Sequence, residues 1–402
     1  MSSSTLNVLQ VSVRLSEGGA AGVARTIASE LTSRGMGSAF AYGYGPHGLE
    51  SPLADEFDST RLTARPIAAL NQVSYSLRGK DTNLQSPKSR AEFRNRLRSA
   101  DVVHLHIIHS YFIGIDTLVD ELLAAGKPVV WTLHDQWAMT GRCAQPGDCR
   151  LWASGCQVCP SLTAYPPAKI DRAARRWSER RDSIERLRKG VPTALVACAN
   201  WLQEEAIAAH LPNVVSVRNS VDREFWSRTS HTPRSRPLAS GSRNLFVCRD
   251  LRDPVKIDWD LLQRVAETEG QSLTIVGDDA PRIITGAEFV PAISERSALA
   301  DVYAGHDRLL FTSKVDYYPL TIAEAITAGV EVFAIRSRAA EEFQGNPLLR
   351  IFDNSQEMLE SILVPRAEMT EDELSSARGM FDPTVMADAY VAIYRELLAA
   401  KE

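Results

Sequence analysis

Val102-Val-His-Leu-His106 and Val129-Val-Trp-Thr-Leu133 are two short runs, rich in β-branched residues, joined by a stretch that reads as a helix. Apolar strand, helix and apolar strand in that order make a βαβ unit, in which parallel strands are covered on both faces. The same alternation extends in both directions. Upstream, Leu6 to Val13 reads as a first strand, Gly18-Gly19-Ala20-Ala21-Gly22 as a loop entering a helix that runs to about Arg34, and Ser38 to Tyr42 as a further strand. Downstream come an irregular loop with four cysteines, a charged helix from about Ala168 to Arg188, a strand at Thr193 to Ala197, a helix at Trp201 to Ala209 and a strand at Val214 to Val217.

A polar stretch, Ser227 to Arg243, interrupts the pattern and reads as a linker. Beyond it a second alternation begins, with strands at Asn244 to Cys248, Ser272 to Val276, Leu309 to Thr312 and Glu331 to Ala334, and helices at about Asp258 to Glu269, Glu295 to Ala304 and Leu320 to Ala328. Asp382-Pro383 is a cap and first-turn pair for a last helix, with Val385, Met386, Ala389, Tyr390, Ile393, Tyr394 and Leu397 on its apolar face. The expected division is therefore a first domain over residues 1–217, a second over 218–382, and a helix over 383–402 that packs back on the first. Two such α/β halves place ligands at the carboxyl ends of their strands.

Composition limits the function. The 402 residues, 44% hydrophobic, are enough for two cores, and the formal net charge of −5 argues against a nucleic-acid partner. The polar start, Met1 to Thr5, lacks the basic and apolar regions of a secretory signal, and no apolar run nears the roughly 20 residues that span a bilayer. A cytoplasmic protein with reduced thiols is expected.

One segment carries chemistry: Ser313-Lys-Val-Asp-Tyr-Tyr-Pro-Leu-Thr-Ile-Ala-Glu-Ala-Ile-Thr-Ala-Gly329, with Asp316 and Glu324 eight positions apart around Pro319 and a helix start. The first half adds Thr132-Leu-His-Asp-Gln-Trp137, Thr140-Gly-Arg-Cys143 and Cys156-Gln-Val-Cys-Pro160. Together these resemble the retaining glycosyltransferase family four, in the branch of colanic-acid and exopolysaccharide enzymes. The resemblance implies the GT-B architecture, two doubly wound Rossmann-like domains facing across a cleft. It also implies metal-independent transfer of a sugar from a nucleoside diphosphate to a glycan, lipid-linked or small-molecule acceptor.

By that resemblance, Arg249 and Lys256, in Cys248-Arg-Asp-Leu-Arg-Asp-Pro-Val-Lys256, meet the leaving diphosphate, and Arg252 is a substitute for Arg249. Glu324 accepts from the ribose hydroxyls, Asp316 from hydroxyls of the transferred sugar, and His134 bonds that sugar near its reacting carbon. Most relatives have Glu where Asp316 stands. Tyr317, Tyr318, Pro319, Leu320 and Thr321 belong to the donor site, where backbone N–H groups at the helix start form an anion site. Gly18 and Gly19 permit close approach of backbone to a diphosphate or acceptor.

Other features stand beside this one. Cys143, Cys149, Cys156 and Cys159 fit either a structural zinc or reduced buried thiols, and no cofactor is required for catalysis. Cys198 and Cys248 read as small core residues. His104, His106 and His109 read as one sheet face rather than a metal set. Asp258-Trp-Asp260 reads as a helix cap followed by a first-turn acid, not as a metal-binding pair. Basic residues at Arg172, Arg175, Arg176, Arg180, Arg181, Arg186, Arg188 and Lys189, and from Lys88 to Arg98, would suit peripheral contact with the inner membrane leaflet. The rival functions are a GT-B nucleotide-sugar epimerase and a non-catalytic nucleotide-sugar-binding partner.

Overall fold

The computed structural model describes residues 5–80, 85–231, 242–364 and 369–401. The chain divides into two compact units, Met1–Arg218 with Met386–Glu402, and Asn219–Val385. Most of the linker read at 227–243 lies outside the described residues, while its first residues close a short helix instead.

The first unit runs β1 (Asn7–Ser12), α1 (Gly19–Ser33), β2 (Gly37–Tyr42), β3 (Ser59–Arg61), α2 (Arg65–Arg78), α3 (Pro87–Ser99), β4 (Val102–Leu105), α4 (Ile115–Ala125), β5 (Val129–Leu133), α5 (Ala173–Gly190), β6 (Thr193–Ala197), α6 (Asn200–Ala208) and β7 (Val214–Ser216). Its seven strands lie parallel in the order β3-β2-β1-β4-β5-β6-β7. β4 and β5 are buried at every position, as strands covered on both faces must be. α4 stops at Gly126, left-handed at φ 62, whose N–H returns to the carbonyl of Leu122.

The second unit runs α7 (Arg223–Thr229), β8 (Ser242–Asp250), α8 (Trp259–Glu267), β9 (Gln271–Asp278), β10 (Ala287–Val290), α9 (Arg296–Ala304), β11 (Arg308–Phe311), α10 (Leu320–Thr327), β12 (Glu331–Ile335), α11 (Arg338–Glu341), β13 (Leu349–Phe352), α12 (Ser355–Ser361) and α13 (Glu371–Gly379). Its six strands are parallel in the order β10-β9-β8-β11-β12-β13. Phe246, Leu261, Leu262, Ile275, Leu310 and Phe333 fill its core. Arg308 is buried there because Glu331 neutralises it and the carbonyl of Ile362 accepts from it. The last helix, α14 (Pro383–Ala399), begins on Asp382, which accepts from the N–H of Thr384, and returns to the first unit.

Two local readings need correction. The charged helix starts at Ala173 rather than near Ala168, because Asp171 takes the N–H groups of Ala173 and Cys159 and so ends the loop there. Val385 is 55% exposed and is not part of the apolar face of α14. Cys248 is half-buried, packed against the margin of the second core with Lys256 and Asp316 nearby, whereas Cys198 is fully buried.

Candidate active site

In each sheet the chain reverses direction of travel between two central strands, β1 and β4 in the first unit and β8 and β11 in the second. Loops part there at the carboxyl ends, which is where open α/β sheets bind ligands. The sequence-predicted residues follow these strands and β5.

In the second unit, the loop after β8 is stitched to the end of β11. Thr312 donates its hydroxyl to the Lys256 carbonyl at 2.7 Å, and the Asp258 N–H reaches Thr312 Oγ1 at 3.2 Å. This carries Lys256 Nζ to 2.7 Å from Asp316 Oδ1. Burial works against the charge of Lys256, but the carboxylate outweighs it and holds the ammonium above its ordinary value. The neighbouring Cys248 thiol is pushed up by burial, with Lys256 opposing. Pro319 caps α10, so Leu320 and Thr321 form its first turn; Tyr318 is buried against Phe343 at 4.8 Å between ring centroids. Tyr317 sits one residue before it, half-buried.

Arg252 is exposed and spans Asp250 and Asp279. Asp250 and Asp279 hold its pKa up, and Arg252 in turn pulls that of Asp250 down to about 2. Arg249 sits at the exposed end of β8. Asp258 accepts from the N–H of Leu261 and caps α8, and Asp260 pairs with Arg282.

Glu324 is buried, and its two oxygens are already engaged. Arg296 donates to Oε1 at 2.6 Å and Tyr303 to Oε2 at 3.0 Å, while Arg296 also donates to Asp222 at 2.5 Å. Burial opposes the charge of Arg296, yet the two carboxylates raise its pKa; burial raises that of Tyr303. Sequence reasoning missed Arg296 and Tyr303. Their spacing of seven along α9 is two helical turns and puts them on one face, a signal available in the sequence.

In the first unit, Gly18 precedes α1 with φ 86, a conformation that a side chain strains, while Gly19 opens the helix. Gln10, His104, His106, Thr132 and His134 alternate along β1, β4 and β5, or just beyond them, onto one face of the sheet. Tyr390 and Tyr394 of α14 cover them. His104 meets Tyr394 at 2.7 Å and Thr132 at 2.7 Å, and Thr132 meets Tyr390 at 2.9 Å. His106 meets Gln10 at 2.8 Å and His134 at 3.0 Å. Burial keeps His104 and His106 well below the ordinary histidine range and lowers His134 to about 4, so all three are neutral near pH 7.

His109 lies apart, 2.7 Å from Asp135 and 2.7 Å from Ser110, which in turn accepts from Tyr165 at 2.6 Å. Ser110 and Tyr111 are both left-handed, at φ 75 and 71. Two consecutive non-glycine residues in that region store strain, which concentrates at functional sites.

The four cysteines of the first unit line one cavity of about 60 Å³ with Arg142 and Trp152. The Gly141 N–H donates to Cys156 Sγ, Arg142 donates to Cys159 Sγ, and Cys159 donates to the Ser161 carbonyl. Burial raises Cys143 to about 11 and also raises Cys156. Among the described residues no three His, Cys, Asp or Glu side chains are gathered so as to hold a metal ion. The four thiols share one lining, and both readings, reduced packed cysteines and a structural zinc, stay open for elemental analysis to separate.

Two parallel-sheet Rossmann-like units with their polar residues at the carboxyl strand ends define a class, that of GT-B glycosyltransferases. Residues 17–225 match the model of Glycosyltransferase Family 4, and the chain belongs to that family. It is 29% identical over 413 residues to the putative colanic acid biosynthesis glycosyl transferase WcaC of Escherichia coli K12, covering 98% of this chain and 100% of that one. Among solved structures it resembles a glycosyltransferase from Rickettsia africae, with a TM-score of 0.62, 14% identity and coverage of 98% and 99% of the two chains. It also resembles Anabaena HepE in complex with UDP, with a TM-score of 0.63, 14% identity and coverage of 96% and 99%. The protein is a glycosyltransferase. No helix among the described residues is long and apolar enough to cross a membrane.

Proposed function

We propose that the protein transfers a sugar, with retention and without a metal, from a nucleoside diphosphate carrier to a glycan, lipid-linked or small-molecule acceptor. The observation that carries this is the Lys256–Asp316 pair beside the first turn of α10, at the carboxyl end of the second sheet. Breaking the bond between anomeric carbon and phosphate leaves negative charge on the diphosphate and positive charge on the ring. Lys256, with Arg249 and the N–H groups of Leu320 and Thr321, meets the first. Asp316 accepts from a sugar hydroxyl, Glu324 from the ribose, and His134 bonds a further sugar hydroxyl. Binding of UDP by HepE supports a nucleotide donor.

Contact with the inner leaflet is also proposed, on a different element from the basic helices. Arg90 and Arg94 are spent on Glu121, Arg96 on Asp58, Arg175 and Arg176 on Glu179, and Arg186 on Asp120. Arg180 is buried on the carbonyls of Trp137 and Thr140. α2, in contrast, exposes Leu70, Val73 and Leu77 at 58%, 56% and 52% along one stripe, carries Arg65 and Arg78, and has no carboxylate. An apolar stripe with cationic ends suits an anionic bilayer.

The test is a panel of nucleotide sugars, read by thermal stabilisation and by nucleotide release with and without EDTA. A donor that stabilises and turns over in EDTA, with the anomeric configuration kept in the product, is expected. Turnover restored only by magnesium or manganese, or an inverted product, overturns the respective part.

A further inference from the structure

His134 is unlike the other histidines at the strand ends of the first sheet. Both ring nitrogens of His104, of His106 and of His109 are hydrogen-bonded to protein groups. His134 is half-buried and uses only Nε2, on His106, leaving Nδ1 as the nitrogen on its accessible edge. A neutral imidazole has one donor and one acceptor, so the state of Nδ1 depends on what Nε2 does.

That state is set two residues away. Gln10 Oε1 can only accept, and it lies 2.8 Å from His106 Nε2. His106 therefore carries its proton on Nε2 and has a bare Nδ1. This bare nitrogen, 3.0 Å from His134 Nε2, accepts from it. Tyr394, from α14, bonds His104 and lies near Gln10, whose Nε2 is buried without a hydrogen-bond partner. The His106 and His134 rings lie stacked, with 5.3 Å between centroids and 26° between planes, so neither can turn over without breaking the chain of bonds.

We propose that Gln10 and His106 are positioning residues that fix the tautomer of His134, so that His134 offers its Nδ1 lone pair to a hydroxyl group of the ligand. The proposal rests on the reading that His134 meets the sugar, and it sharpens that reading. A lone pair attracts a hydroxyl proton and repels phosphate oxygens, which are acceptors only. His134 thus selects the sugar ring and excludes the diphosphate from its edge. The alternative orientation of the Gln10 amide would reverse every bond in the relay and turn His134 into a donor.

Long-range proton–nitrogen correlation spectra of the full chain, labelled with nitrogen-15 histidine, test this directly, with His134→Gln assigning the signal. The expected result is His134 protonated on Nε2 and bare on Nδ1. Gln10→Glu, which keeps the acceptor, retains that pattern. Gln10→Leu and His106→Phe mix the two tautomers, and Gln10→Leu lowers kcat about 10-fold with KM for the nucleotide sugar changed less than about twofold. A proton on Nδ1 of the wild-type ring overturns the proposal, and so does an unchanged tautomer in folded Gln10→Leu and His106→Phe. Should those two variants not fold, the wild-type and Gln10→Glu spectra still decide. Undiminished turnover in His134→Ala would remove its contact with the sugar while leaving the tautomer assignment standing, so the two failures are distinguishable.

Discussion

Lys256 and Asp316, sixty residues apart in the chain, form a 2.7 Å ion pair at the exit of the second sheet. The cation is thereby placed and kept charged in the folded chain, and on the proposed reading a diphosphate would meet a site that needs little reorganisation.

Lys256→Ala is expected to lower turnover on the order of 100-fold to 1,000-fold, as loss of a positioned charge does, with a smaller change in donor affinity. Glu324→Ala weakens donor binding instead, because a ribose contact is present equally in ground and transition states. Steady-state kinetics with a turned-over donor separate the two. Near-normal turnover in a stable Lys256→Ala protein moves the role to Arg249.

Arg296 bridges Glu324 and Asp222, so Arg296→Met leaves a buried carboxylate without its cation. A fully buried pair broken this way costs about 3–5 kcal/mol; Arg296 retains some exposure, and about 2 kcal/mol is expected from denaturant unfolding of the second unit. Arg296→Met with Glu324→Gln should recover most of it. A single variant as stable as wild type would show that the bridge does not hold α9 to α10.

The buried histidines make acid destabilising. Their folded pKa values lie below the unfolded 6.5, that of His134 at about 4, so between these limits the unfolded chain binds protons that the folded chain refuses. Stability of the first unit is full above about pH 6.5 and falls as pH drops towards 4. Thermal melts across that range should show the decline, and His104→Gln should flatten it. A pH-independent melting temperature would contradict the neutral, buried network.

Purified protein should contain no stoichiometric zinc, and Cys143, Cys149, Cys156 and Cys159 should alkylate slowly until the chain unfolds. Elemental analysis and thiol counting check this. One zinc per chain, lost with unfolding, would decide for the structural zinc.

Leu70→Asp with Val73→Asp should abolish sedimentation with vesicles containing anionic lipid while leaving nucleotide release intact. Unchanged sedimentation would move the contact off α2.

The strand pattern was legible because parallel strands covered on both faces read as plain apolar runs, and Val102 to His106 and Val129 to Leu133 lie where the alternation puts them. α2 and α3 were not read, although α2 carries Leu70, Val73 and Leu77 at helical spacing; that stripe faces solvent, and the helix buries Asn71 and Tyr75 instead. Glu324 and Lys256 could be found from a motif, but their partners could not. Arg296, Tyr303 and Gln10 sit in ordinary helix and strand contexts, and only tertiary placement brings Arg296 to Glu324 or Gln10 to His106.

Tyr394 reaches His104 across 290 positions of sequence, and Tyr390 reaches Thr132 across 258. During synthesis the first seven strands emerge long before these two tyrosines, with the whole second unit made in between. Until they arrive, Thr132 and His104 have an open polar face in the middle of the sheet, which water must cover. The second unit, continuous in the chain, can complete itself on the ribosome, whereas the first must wait in a half-closed state for the final helix. The histidine face is therefore sealed only after the whole second unit has been made.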